Sequence, residues 1–138
     1  MTRFLVVFDV DSTLIQDEVI ELLADASGQR SQVEEITERA MRGEIDFAES
    51  LLARVRTLAN LPESVIEATY QRLRPTTGVI ETISAIHELG GKVGAVSGGF
   101  TQVLEPLAEA MNQDMPMSKS YDAPSRISIP KAFMIFYF

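Results

Sequence analysis

Two short apolar runs limit what this chain can fold into. FLVVF at residues 4–8 and KVGAVS at 92–97 read as buried strands, with more than eighty residues between them. Antiparallel neighbours can be joined by a hairpin, but parallel ones need a crossover of a dozen or more residues, usually helical. A helical pattern leads straight into the second run, so the pair implies a parallel α/β sheet. The rest of the long connection then reads as a helical insertion lying over the end of the first strand.

The insertion has clear punctuation. Apolar residues at 15, 19, 20, 22, 23 and 26 predict a helix from Leu14 to Ala26, closed by Gly28. Ser31 with Glu34 has the form of a capping box, opening a helix that Gly43 ends. Asp46 is a candidate N-cap for a helix carrying Phe47, Leu51, Leu52, Val55 and Leu58. Pro62 suits a first helical turn and Pro75 a stop. Further helices are expected from about Thr77 to Leu89 and from Phe100 to Met111. The resulting division is a core of 1–14 with 76–111, an inserted helical unit of 15–75, and a tail of 112–138.

The tail differs in kind. It holds three of the six prolines and half of the aromatics, shows no helical period, and ends in FMIFYF. Residues 1–111 carry 9 basic and 18 acidic side chains, whereas the tail carries 3 and 2. It reads like a different sequence joined on, as in a truncated or frame-shifted product. Only two strands are then expected, few for a stable sheet, and the aromatic end is expected to promote aggregation.

Charge and composition exclude several functions. A net charge of −8 argues against a nucleic-acid backbone as partner. There is no cysteine, hence no disulfide or thiolate chemistry, which fits a reducing cytoplasm. The first apolar run stops at Asp9, too short for a signal peptide or a membrane span. No membrane partner is expected, and oligomeric state is not legible.

The chemistry starts where the first strand ends, in FDVDSTL. Asp9 and Asp11 stand two apart and repel each other, and a lone buried carboxylate is costly. A cation between them would remove that repulsion. Mg²⁺, which takes hard oxygen ligands and keeps its waters, suits the pair. One carboxylate could then attack an electrophile while the other moves a proton. Aspartates also serve as ordinary strand-end and turn formers. The second strand ends in SGGF, residues 97–100, where a hydroxyl and backbone N–H groups at a strand–helix junction make a phosphate cradle. Alone this is also an ordinary glycine turn. At neighbouring strand ends the two clusters support each other, because ligands of open α/β sheets bind outside the carboxyl ends of strands.

FDVDSTL followed by VGAVSGGF resembles the first two motifs of the haloacid dehalogenase superfamily. DVDSTLIQDEVIELLADASG, IDFAESLLARV and RPTTGVIETISAIHELGGKVGAVSGGF are further similar to its phosphoserine phosphatase family. The resemblance runs from residue 4 to about 111. It implies a Rossmann-like core with a helical cap, Mg²⁺ dependence, and hydrolysis of O-phospho-serine, a small phosphomonoester, to serine and phosphate. By this match Asp9 is the nucleophile and Asp11 the general acid/base. Both hold Mg²⁺, Asp11 through its backbone carbonyl. Ser97 and Gly98 hold the phosphate. Glu18 faces the substrate amino group, Arg54 its carboxylate, and Phe47 lines the same site. Phe47 and Arg54 are seven apart on one predicted helix and so share a face. Without the family, Arg54 reads as a snorkelling surface arginine and Glu18 as a carboxylate favouring a helix start. His87, the only histidine, reads as part of an amphipathic helix.

The family's later lysine motif and GDGxND motif have no counterpart here. Lys119, Lys131, Asp114 and Asp122 stand in the wrong context and receive no role. The expectation is therefore an impaired phosphatase. The alternatives are a Mg²⁺- or phosphate-binding remnant and a sibling enzyme acting on another phosphomonoester. A response-regulator receiver also pairs acids after its first strand, but the long helical insertion and SGG argue against it.

Overall fold

A computed structural model describes residues 4–112 and 134–137. Strand β1, Leu5–Asp9, runs parallel to β2, Lys92–Ser97, in a register that sets Asp9 against Val96. Both strands therefore deliver their last residues to the same end of the sheet. Between them come α1 (Val19–Ser27), α2 (Arg30–Met41), α3 (Phe47–Thr57), α4 (Glu63–Arg72) and α5 (Val79–Glu88). Helix α6, Thr101–Asn112, follows β2. The α/β class with a parallel pair and a helical insertion is as the sequence predicts.

A third strand was not expected. β3, Met134–Tyr137, pairs antiparallel with β2, giving the order β1-β2-β3. Part of the aromatic end thus supplies backbone partners to the otherwise open side of β2. The rest of the tail, residues 113–133 and 138, lies outside the described residues, as do Lys119, Lys131, Asp114 and Asp122.

β1 is less buried than its apolar run implies. It is an edge strand, and Leu5 and Val7 are 48% and 49% exposed. Successive side chains of a strand point to opposite faces of the sheet, and Leu5 and Val7 share the less covered face, where Lys92, paired with Leu5, is exposed as well. β2, in the middle, matches expectation, with Val93, Ala95 and Ser97 buried.

The helix boundaries shift where the chain meets tertiary partners. Residues 10–14 form a wide turn closed by the Ile15 N–H on the Val10 carbonyl at 3.1 Å. Helix α1 begins only at Val19, because Ile15 is drawn into a bridge with Pro75. The Ser31 capping box does not form. α2 starts two residues earlier, with Gln29 as N-cap, and the turn through Gly28 binds the Gln29 N–H to the Ala24 carbonyl at 2.7 Å. Asp46 caps α3 as expected, accepting from the Glu49 N–H at 2.8 Å. Pro62 stands at the N-cap of α4 rather than within its first turn.

One apolar core joins the insertion to the sheet. Leu23, Leu58 and Ile66 of the insertion cluster with Ile83, Val93, Val103, Leu104 and Leu107. Helix α1 packs on α2 and α4, α2 on α3, and α4 on α6. Among the described residues no helix is long and apolar enough to cross a membrane.

Candidate active site

The wide turn after β1 is where the two aspartates diverge. Asp9 accepts from the Val10 N–H at 2.8 Å, which turns its carboxylate along the first step of the turn. Asp11 is extended, and Ser12 next to it takes φ 55°, a left-handed conformation that a residue with a Cβ adopts only when its surroundings hold it. Two contacts hold Ser12. Its N–H donates to the Asp17 carbonyl at 3.2 Å, and its Oγ donates to Glu18 Oε1 at 2.5 Å. The Val19 N–H, at the start of α1, donates to Asp11 Oδ1 at 3.3 Å.

At the end of β2 the chain makes a second tight turn. The Gly99 N–H donates to Ser97 Oγ at 3.0 Å, leaving the Ser97 hydroxyl proton free to be aimed elsewhere. The two glycines differ. A Cβ on Gly99 would stand 3.1 Å from both Leu104 Cδ1 and Ser97 Oγ, so one of these side chains would have to give way by a few tenths of an ångström. A Cβ on Gly98 would meet nothing within 4 Å, so Gly98 fronts open space.

These turns and the insertion enclose a cavity of about 330 Å³. Every site residue expected from the sequence lines it: Asp9, Asp11, Glu18, Phe47, Arg54, Ser97 and Gly98. His87 does not, lying on α5 as expected. Gly99 and Phe100, the rest of the SGGF turn, also line it, and Val19, Ile20 and Leu51, not given a site role from the sequence, complete the lining. Leu51 had a legible signal, falling four after Phe47 and three before Arg54 on one helix face. The bond between Ser12 and Glu18 had none, because it depends on a left-handed residue.

The cavity is electrostatically lopsided. Burial, with the nearby charges of Glu18 and Asp9, outweighs the Val19 N–H and raises the Asp11 carboxyl from 3.8 to about 6. Arg54 is half-buried, and desolvation lowers its guanidinium below the usual value against the favourable charge of Glu18. None of the ion pairs among the described residues includes Arg54. Its charge is thus available to an anion entering the cavity. At the other end, the charges of Asp9 and Glu18 both act on Asp11, so the polar groups there are carboxylates. That oxygen-only set suits a hard divalent ion. Among the described residues no group of three or more acidic, histidine or cysteine side chains is disposed to bind a metal. One or two carboxylates suffice for an ion that keeps several waters.

The sequence profile of the haloacid dehalogenase-like hydrolases matches residues 5–131. The chain belongs to that family. Two curated relatives narrow the likeness. This chain is 50% identical to a phosphoserine phosphatase of Mycobacterium tuberculosis over 121 residues, 88% of this chain and 30% of that protein. It is 49% identical to the phosphoserine phosphatase of Streptococcus thermophilus over 110 residues, 80% of this chain and 51% of that one. The chain therefore spans about half or less of these relatives. Its fold is similar to a solved phosphoserine phosphatase holding a phospho-aspartyl intermediate analogue, with a TM-score of 0.70 and 36% identity, covering 80% of this chain and 53% of that one.

Proposed function

We propose that this chain carries phosphoserine phosphatase chemistry: hydrolysis of O-phospho-serine to serine and phosphate through an aspartyl-phosphate on Asp9. The observation that carries the reading is that one cavity is lined both by the strand-end groups Asp9, Asp11, Ser97 and Gly98 and by Glu18, Phe47 and Arg54. The first set suits a phosphoryl group. The second suits an amino acid, with Glu18 facing the ammonium and Arg54 pairing the carboxylate. In this reading residues 15–75 act as a cap over a core of 1–14 and 76–111.

The Asp9 carboxylate attacks phosphorus, and the bond from phosphorus to the serine oxygen breaks. Asp11 gives that oxygen its proton. Water then attacks the aspartyl-phosphate, passing a proton to Asp11. The bond to Asp9 breaks, which frees phosphate and restores the carboxylate. A carboxyl with a pKa of about 6 suits both proton transfers near neutral pH. The Ser97 hydroxyl and the backbone at Gly98 hold the phosphoryl oxygens. The Asp9 carboxylate and the Asp11 carbonyl would hold Mg²⁺. When bound, that ion offsets the repulsion between the carboxylates and the phosphate. The lack of cysteine supports a reducing cytoplasm as the setting.

The test is an assay of the purified chain with Mg²⁺ on O-phospho-serine and a panel of other small phosphomonoesters, beside an Asp9→Asn control. Turnover selective for O-phospho-serine and lost in the control supports the reading. Selectivity for another ester favours a sibling phosphatase. Phosphate and Mg²⁺ binding without turnover favours a remnant.

A further inference from the structure

The insertion leaves the sheet at Ile15 and returns at Pro75, and the two crossings pair as a short neck. The Gln16 N–H donates to the Arg74 carbonyl at 2.8 Å, and the Thr76 N–H to the Leu14 carbonyl at 2.9 Å. Beside this neck lies an ion pair of unequal partners. The Asp17 side chain is only 6% exposed, whereas that of Arg74 is 66% exposed. The Arg74 backbone N–H donates to Asp17 Oδ2 at 2.8 Å, and its Nε and Nη2 donate to Oδ1 at 3.0 and 2.6 Å. Burial pushes the Asp17 carboxyl up. The bonds and charge of Arg74, helped by the charge of Arg72, more than offset that and hold it below its ordinary value.

Asp17 is the first of three consecutive residues tied to the Asp11 turn. Its carbonyl accepts from the Ser12 N–H, Glu18 accepts from Ser12 Oγ, and the Val19 N–H donates to Asp11. Arg74 itself is not among the residues lining the cavity.

We propose that Arg74 is a positioning residue: by clamping the buried Asp17 carboxylate, it sets where Glu18 and Val19 stand against the Asp11 turn. The guanidinium fork fixes direction as well as charge, so lysine cannot replace it fully. Releasing Asp17 frees segment 17–19 to drift, which loosens left-handed Ser12 and moves Glu18. The consequence for substrate choice rests on the amino-acid phosphate reading above. The clamp itself does not.

Two measurements on the full chain separate these levels. Amide exchange is followed by NMR in the wild type, Arg74→Met, Arg74→Lys and Asp17→Asn. Arg74→Met is expected to speed exchange at Ser12 and Val19 roughly tenfold or more, with Val93 and Ala95 of β2 unchanged and Arg74→Lys in between. Unchanged exchange at Ser12 and Val19, or equal acceleration throughout, overturns the clamp. Should Arg74→Met not fold, Arg74→Lys and Asp17→Asn carry the same comparison. The second measurement is affinity for O-phospho-serine against its analogue with hydroxyl in place of ammonium. A wild-type preference that collapses in Arg74→Met, while inorganic phosphate binds as before, extends the clamp to specificity. A preference kept in the variant overturns that extension. No preference in the wild type refutes the amino-acid reading and leaves the exchange result to decide the clamp alone.

Discussion

The Val19 N–H donates to the Asp11 carboxylate across eight residues, at 3.3 Å. A helix start aimed at an acid favours the ionised form. Here it loses to burial and to the charges of Glu18 and Asp9, and the carboxyl sits at about 6. A folded-state value above the ordinary 3.8 means that the folded chain prefers the neutral acid. That preference is fully present below about pH 4 and is lost as pH rises through 6.

The metal-free chain is therefore expected to lose stability between pH 4 and 7 through Asp11, by an amount on the order of 2–3 kcal/mol. Asp11→Asn should raise the melting temperature at pH 8 and leave it unchanged at pH 4. Thermal melts at both pH values check this, and equal effects at both would contradict it.

Mg²⁺ is expected to stabilise the wild type at pH 8 by relieving the same crowding. The shift should shrink when Asp9 is replaced by Asn and vanish on chelation with EDTA. Melting curves with and without the ion measure it.

Gly99→Ala should destabilise the fold by on the order of 1–3 kcal/mol, since its Cβ would press on Leu104 and Ser97 at 3.1 Å. Gly98→Ala has open space and should keep the melting temperature within a degree or two while weakening phosphate binding. Denaturant melts with phosphate titrations distinguish the two glycines.

Arg54→Lys keeps a charge but loses the fork that grips a carboxylate. Affinity for O-phospho-serine should fall by about tenfold, with inorganic phosphate affected far less. Calorimetric titration of both ligands reads the difference. An equal loss for both would assign Arg54 to the phosphate instead.

Much of this was legible before folding, because it depends on local pattern. Apolar runs marked β1 and β2, Gly28 and Gly43 closed their helices, and Asp46 capped α3, each through bonds to near neighbours. The parallel pairing followed from the long connection, and it carried Asp9 and Ser97 to one sheet end. Family resemblance then pointed to Glu18, Phe47 and Arg54, and they line the cavity with the strand-end groups. What sequence could not determine depended on contacts between distant segments. The late start of α1 follows from Ile15 meeting Pro75, sixty residues on. The exposure of Leu5 and Val7 follows from which face of the sheet is left less covered, and β3 pairs on the side of β2 away from β1. Above all, no local pattern sets Asp17 and Arg74 apart from the other charged residues, and only the neck that brings the crossings together makes one of them buried and the other its clamp. Periodicity records which face of an element is apolar. Which elements meet is decided by the closing of the whole chain, and so the burial of a single carboxylate belongs to the tertiary structure alone.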